Sequence, residues 1–312
     1  NMRTKAIEVL GFGYDEVRRM KPDIVYCACG GFSENGPYAG KPAYDDLIQA
    51  LSGLCDLSKD PGSGEPRFAP TVLVDKLTGL TMSQAITSGL LHRERTGKGQ
   101  FIEVPMFETM VSFLMAEHIF GHAFSPPNGP LGYSRLTTPN RKPNRSKNGW
   151  ITVLPYTDKQ WRDFFELSGH STFNEDPRFS TPFMRAQNVH DLYGLLSDIL
   201  KVKTTEEWLT ICDEAEIPAA PILSLADLFN DPHLSAVGMF EKHLHPSEGD
   251  TVITKPPVKF SVSPSTIRRQ APSLGQQGKE ILSEVGYDDE SIRKLKEDNV
   301  LFEPSTSTSN YK

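Results

Sequence analysis

The feature that most narrows what this chain can fold into is a repeated order: a short apolar run, a turn, then an amphipathic segment of helix length. Residues 24–29 (IVYCAC) form a compact apolar run introduced by Pro22 and Asp23 and closed by Gly30 and Gly31. Such a run suits a strand buried on both faces. Residues 43–54 then read as a helix stopped near Gly53, and residues 71–74 (TVLV) as a second strand reaching Asp75. A long helix follows over 76–95, with Leu77, Leu80, Ala85, Ile86 and Leu91 in its apolar set. Residues 101–104 read as another strand and 106–122 as a further helix. Upstream, Ile7, Leu10, Tyr14 and Val17 recur at helical spacing over 4–19, broken by a Gly-Phe-Gly at 11–13. Strands alternating with helices predict an α/β fold with parallel strands, because a parallel pair needs a crossover long enough to hold a helix.

The pattern changes at residues 125–147, which are rich in proline and basic side chains. A new unit opens with the strand-like residues 150–154 and continues in helices near 157–168, 185–200 and 204–216. A helix at 224–230, strand-like residues 252–254 and 258–260, and helices near 276–285 and 288–297 complete the chain. A Ser/Thr/Asn tail at 305–310 is expected to be disordered. The 312 residues suit two domains.

Composition removes several functional classes. Lys and Arg total 33 against 40 Asp and Glu, a net charge of −7, which argues against a nucleic-acid partner. No apolar run reaches the roughly 20 residues of a membrane-spanning helix, so no membrane partner is expected. The four cysteines, Cys27, Cys29, Cys55 and Cys212, lack paired zinc spacing and read as reduced thiols of an intracellular chain. The chain starts at Asn1 and enters a helix at once, with no signal or transit sequence; a cut within a larger fold is the expectation.

From placement alone, Asp75 is the strongest chemical candidate. A carboxylate at a strand's carboxyl end and a helix's start sits where open α/β sheets bind ligands, held as an anion by the helix dipole. It fits a nucleophile, although from placement alone an ordinary aspartate helix cap is the commoner reading. The loop after residue 30 fits close backbone approach to a ligand or a plain Asn-Gly-Pro turn, but not a phosphate loop. His118 and His122 are four apart, yet Ile119 stands where a zincin has glutamate, so a packing pair is expected and no metal. Arg141, Lys142, Arg145 and Lys147 fit an anion site or a solvated linker. Trp150, Trp161 and Trp208 read as core or domain-contact residues.

Taken together, several stretches resemble the family III CoA-transferases, the group of formyl-CoA transferase and the carnitine CoA-transferases. They are the opening Asn1, Met2 and Arg3, then residues 10–14 (LGFGY), Gly31-Phe32 with 36–38 (GPY), 43–45 (AYD), and Gln49-Ala50 with Ser52-Gly53. Asp75 with Thr78-Gly79 follows, then 93–100 (RERTGKGQ), 218–221 (PAAP) and 231–233 (DPH). The resemblance implies a Rossmann-like large domain from residues 1–125 plus 240–312, incomplete at its N-terminus, with a smaller α+β domain at 126–239. It also implies an interlocked homodimer.

The resemblance further implies that Asp75 carries CoA from an acyl-CoA donor to a small carboxylic acid, through acyl-aspartyl anhydride and aspartyl-CoA thioester intermediates. CoA thioester is then a substrate, and no tightly bound cofactor is expected. Tyr44 would line the CoA or acyl pocket and Asp45 would orient or tune the site. Asn1, Met2, Gly31 and Phe32 would contribute to the substrate and CoA surface. Two other readings stand beside it: an α-methylacyl-CoA racemase, for which Tyr44 stands where the acid/base histidine belongs, and a non-catalytic truncated homologue. The family's glycine-rich closing loop is replaced by residues 137–142 (TTPNRK), where Arg141 and Lys142 suggest a dicarboxylic acceptor. A cytoplasmic location is expected, with mitochondrion and peroxisome left open.

Overall fold

The computed structural model describes residues 1–303, so the expected tail at 305–310 lies outside the described residues. The chain divides into two compact units, Asn1–Pro221 and Ile222–Lys312. In the first, α1 (Thr4–Val9) and α2 (Tyr14–Met20) lead into β1 (Val25–Gly30); α3 (Asp45–Leu51), α4 (Leu54–Leu57) and α5 (Leu73–Thr96) then cross over to β2 (Gln100–Pro105), which runs straight into α6 (Met106–His118). β1 and β2 pair in parallel, from Val25 opposite Gln100 to Gly30 opposite Pro105. The α/β reading and its parallel strands are therefore observed.

Side-chain alternation on this pair assigns the two faces. A Cβ added at Gly89 of α5 would stand 2.8 Å from Ile102 Cδ1 and 2.9 Å from Val25 Cγ1, so α5 packs on the face that Val25 and Ile102 present. The period of two puts Cys27 and Cys29 on that same face. On the other face Tyr26 and Phe101 stack with centroids 5.9 Å apart, and Tyr14 of α2 closes on both at 5.6 and 5.3 Å. Phe32, Ile48, Leu54, Val74, Met110 and Leu114 make the buried core beside it. α5 ends at Gly97, whose φ of 71° is the left-handed helix stop that glycine adopts without strain.

The expected strand at 71–74 does not form; this is a correction. The Thr71 and Leu73 amides donate to the carbonyls of Ala69 and Thr71, two residues back in each case. Val72, at φ −71° and ψ 71°, has the geometry of an inverse γ-turn. Pro70 offers no amide to a ladder, and the helix has already begun at Leu73.

Further along the same unit come α7 (Ser134–Thr137), β3 (Asn144–Arg145), β4 (Trp150–Val153), α8 (Asp158–Leu167), α9 (Pro182–Gln187), α10 (Val189–Leu200), α11 (Thr205–Glu214) and β5 (Ala219–Pro221). β3, β4 and β5 form an antiparallel sheet in that order. α8 and α11 both start on capping boxes, Thr157 with Gln160 and Thr204 with Glu207. Their apolar faces build a second core in which Trp208 stacks on Phe164 and donates to the Leu200 carbonyl at 2.8 Å. Trp161 and Trp208 are core residues as expected, whereas Trp150 is 45% exposed beneath the Arg145 guanidinium. The single helix expected over 185–200 is two helices, broken at Asn188, whose side chain bonds the Met184 carbonyl.

The second unit holds α12 (Pro232–Ala236), an antiparallel hairpin of β6 (Phe240–His245) and β7 (Gly249–Thr254), α13 (Gly278–Glu284) and α14 (Asp289–Glu297). β7 contains the expected residues 252–254, but its partner is 240–245, and 258–260 is not a strand. Between 224 and 230 only a short 3₁₀ turn at Asp227–Asn230 is helical.

Candidate active site

Asp45 and Asp75 are brought together by two helix starts. Tyr44 is the N-cap of α3, with extended backbone, so the chain turns into the helix at Asp45. The Tyr44 ring is 80% exposed, while Asp45 is only 6% exposed. Asp75 occupies the first turn of α5, and its backbone N–H donates to Asp45 Oδ2 at 3.0 Å. Val72, the N-cap of α5, gives no side-chain cap; Asp45 supplies one from another element. A buried carboxylate at a helix N-terminus is favoured by the dipole and by this amide.

Gln49, one turn along α3 from Asp45 and completely buried, ties the arrangement to the chain entering α5. Its Nε2 donates to Asp45 Oδ1 at 2.5 Å and to the Thr71 carbonyl at 3.3 Å, and its Oε1 accepts from the Ala69 amide at 2.8 Å. Both donors and the acceptor of the amide are used. Gln49 falls in one of the stretches that carry the family resemblance, and its spacing of four from Asp45 on a helix is the signal that marks it.

The Asp75 carboxylate itself is exposed, and among the described residues it makes no hydrogen bond or ion pair. It lies at the carboxyl end of β1. There the Cys29 thiol is pushed up by burial, with Cys27 and the Asp75 carboxylate adding. Asp75 thus stands beside β1 at the start of α5, and not after a strand of its own.

The loop after β1 is fixed by carboxylates from beyond it. Ser33 Oγ and the Glu34 amide donate to Glu103 at 3.0 and 2.8 Å, and the Ser33 amide donates to Glu108 at 3.1 Å. Phe32 is 5% exposed, edge-on to Phe107, so it serves the core rather than a surface. Gly31 is in close contact with the residue before Tyr44: a Cβ there would lie 2.1 Å from Ala43 Cβ. Asn1 and Met2 are exposed ahead of α1. Arg141 and Lys142 are exposed after α7, their amides closing turns onto Thr138 and Asn140; no contact joins them to Asp45 or Asp75. His118 accepts the Tyr133 amide on Nδ1 at 3.3 Å, a packing role. Among the described residues no helix is long and apolar enough to cross a membrane.

The comparisons with known proteins agree with one another. The family model described as CoA-transferase family III matches residues 1–278. An acyl-CoA transferase of Fusarium pseudograminearum is 30% identical over 303 residues, covering 96% of this chain and 66% of its own length. A succinyl-CoA:glutarate CoA-transferase of Mus musculus is 29% identical over 290 residues, covering 92% and 66%. This chain thus spans 66% of the length of those two relatives. The crystal structure of a CAIB/BAIF family protein from Brucella suis matches with a TM-score of 0.71 at 28% identity, covering 91% of this chain and 74% of that one.

Proposed function

The chain belongs to CoA-transferase family III, and from that premise we propose that it moves CoA between carboxylic acids with Asp75 as the covalent carrier. The observation that carries this reading is an exposed, unpaired carboxylate on a main chain that a buried neighbour holds by its amide. The Asp75 carboxylate attacks the donor thioester carbonyl; a C–O bond forms, the C–S bond breaks, and the electron pair leaves on the CoA thiolate. The thiolate then attacks the aspartyl carbonyl of the mixed anhydride and expels the donor acid as its carboxylate. The acceptor carboxylate attacks the resulting aspartyl-CoA thioester, again releasing thiolate. Return of that thiolate to the acceptor acyl carbonyl gives the new acyl-CoA and frees Asp75. Charge develops at the first turn of α5, where the helix dipole favours an anion.

Tyr44, exposed beside Asp45, is the side chain placed to meet the acyl or CoA portion. Phe32 supports that surface from the core and Gly31 by its close approach to Ala43, and the exposed Asn1 and Met2 are proposed to contribute to it. A dicarboxylic acceptor is supported by the mouse relative named for succinyl-CoA and glutarate, and by the exposed cations Arg141 and Lys142. The reading includes a homodimer, supported by the apolar Leu80, Leu90 and Leu91 that α5 leaves exposed.

The test is a transfer assay with succinyl-CoA as donor and glutarate as acceptor, run with the parent chain and with Asp75→Ala. Glutaryl-CoA formed by the parent and not by D75A is the expected result. Equal transfer by the two would overturn it, as would α-deuterium exchange into a 2-methylacyl-CoA without any transfer.

A further inference from the structure

We propose that Gln49 is a positioning residue for the transfer, one that never touches substrate and acts by holding Asp45 against the Asp75 main chain. The inference rests on the reading of Asp75 given above. Three observations carry it. First, Gln49 is fully buried and polar, which is costly unless every donor and acceptor is paired, and all of them are. Second, its partners are not scattered: they are Asp45, Ala69 and Thr71, one end of the Asp75 tether and the chain that delivers Asp75 into α5. Third, the segment it grips has no regular structure of its own to hold it. Residues 69–73 run through two consecutive tight turns, and α5 lacks a cap from its own N-cap residue.

The geometry explains why an amide is required. A carboxylate at 49 would face Asp45 with lone pair against lone pair and could donate to neither Asp45 nor Thr71 at neutral pH. An apolar side chain would leave Asp45 Oδ1, the Ala69 amide and part of the Thr71 carbonyl unpaired. In both cases Asp45 is released to rotate away from the Asp75 amide. Covalent attack needs nucleophile and thioester held within about 0.5 Å of the productive geometry, so loosening this tether slows the chemical step and leaves the exposed substrate surface intact.

The experiment compares the parent with Gln49→Met and Gln49→Glu, two variants of similar length so that one survives if the other misfolds. Hydrogen exchange is measured at the Asp75 amide, and the time course of adduct formation on Asp75 with succinyl-CoA is followed by quenching. The expected result is amide exchange at least about tenfold faster and adduct formation at least about tenfold slower, with the same final labelled fraction and an unchanged KM for the thioester. A merely structural role lowers the labelled fraction, by depleting folded chains, and leaves the rate of the remainder as it was. Unchanged exchange, or an unchanged rate at reduced amplitude, overturns the inference while the reading of Asp75 stands. Transfer by D75A equal to the parent overturns that reading and is independent of the exchange result.

Discussion

Two aspartates, each within the first turn of a helix, meet opposite fates in this chain. Asp45 is buried and engaged at both oxygens, one on the Asp75 amide and the other on Gln49; Asp75 is exposed, and its oxygens have no hydrogen-bond or ion-pair partner among the described residues. The buried one stabilises, the exposed one is available to react, and neither role follows from residue type. One turn beyond Asp75 the same helix carries a contrasting defect. Thr78 is 2% exposed and its hydroxyl has no hydrogen-bond partner, although Thr81 and Thr87 of α5 donate back to Leu77 and Ser83 in the ordinary way. An orphaned buried hydroxyl costs free energy that a methyl of the same shape does not. Thr78→Val should therefore raise the free energy of unfolding by about 1 kcal/mol, read as a higher urea midpoint at unchanged slope. A lower midpoint would mean that the hydroxyl has a partner after all.

At the scale of elements, the site is a meeting of ends: the carboxyl end of β1, the start of α3 and the start of α5. Their spacing is set by the close approach of Gly31 to Ala43, just before Tyr44 and Asp45. Gly31→Ala would drive one Cβ into another at 2.1 Å and should destabilise by about 1–3 kcal/mol while slowing transfer through the displaced start of α3. Ala43→Gly, added to it, removes the colliding atom and should restore most of both losses. Failure of the double variant to recover would show that the glycine is needed for backbone reasons instead.

Most of the longer helices and both parallel strands were legible in the sequence because their apolar periodicity is dictated by burial. Residues 71–74 were not, because a run of β-branched residues reads as a strand whether or not a neighbour exists to pair with it. Residues 240–245 were missed for the converse reason: Glu241, Lys242 and His243 hide a strand held by its hairpin ladder. Within the candidate site, placement and resemblance pointed to Asp75, and resemblance alone to Asp45. The direction of their link, and the buried amide of Gln49 behind it, depend on a fold that brings residues 45, 69 and 75 together, which no local pattern encodes.

Considered whole, the described residues include two buried clusters, one of them adjoining the candidate chemistry. One joins Phe32, after β1, to Ile48, Leu54, Val74 and Met110 of α3, α4, α5 and α6, and the other is built around Phe164 and Trp208 on α8 and α11. The first packs Ile48 of α3 and Val74 of α5, and the exposed carboxylate sits at its margin. Such an arrangement suits covalent transfer, which needs an accessible nucleophile on a fixed main chain. The most direct measurement is to incubate the chain with succinyl-CoA, quench with hydroxylamine, digest, and locate the modified peptide by mass spectrometry. An aspartyl hydroxamate at Asp75, absent when the thioester is omitted, is the predicted result. Turnover of the thioester with Asp75 unmodified, or a hydroxamate at another carboxylate, would contradict the account.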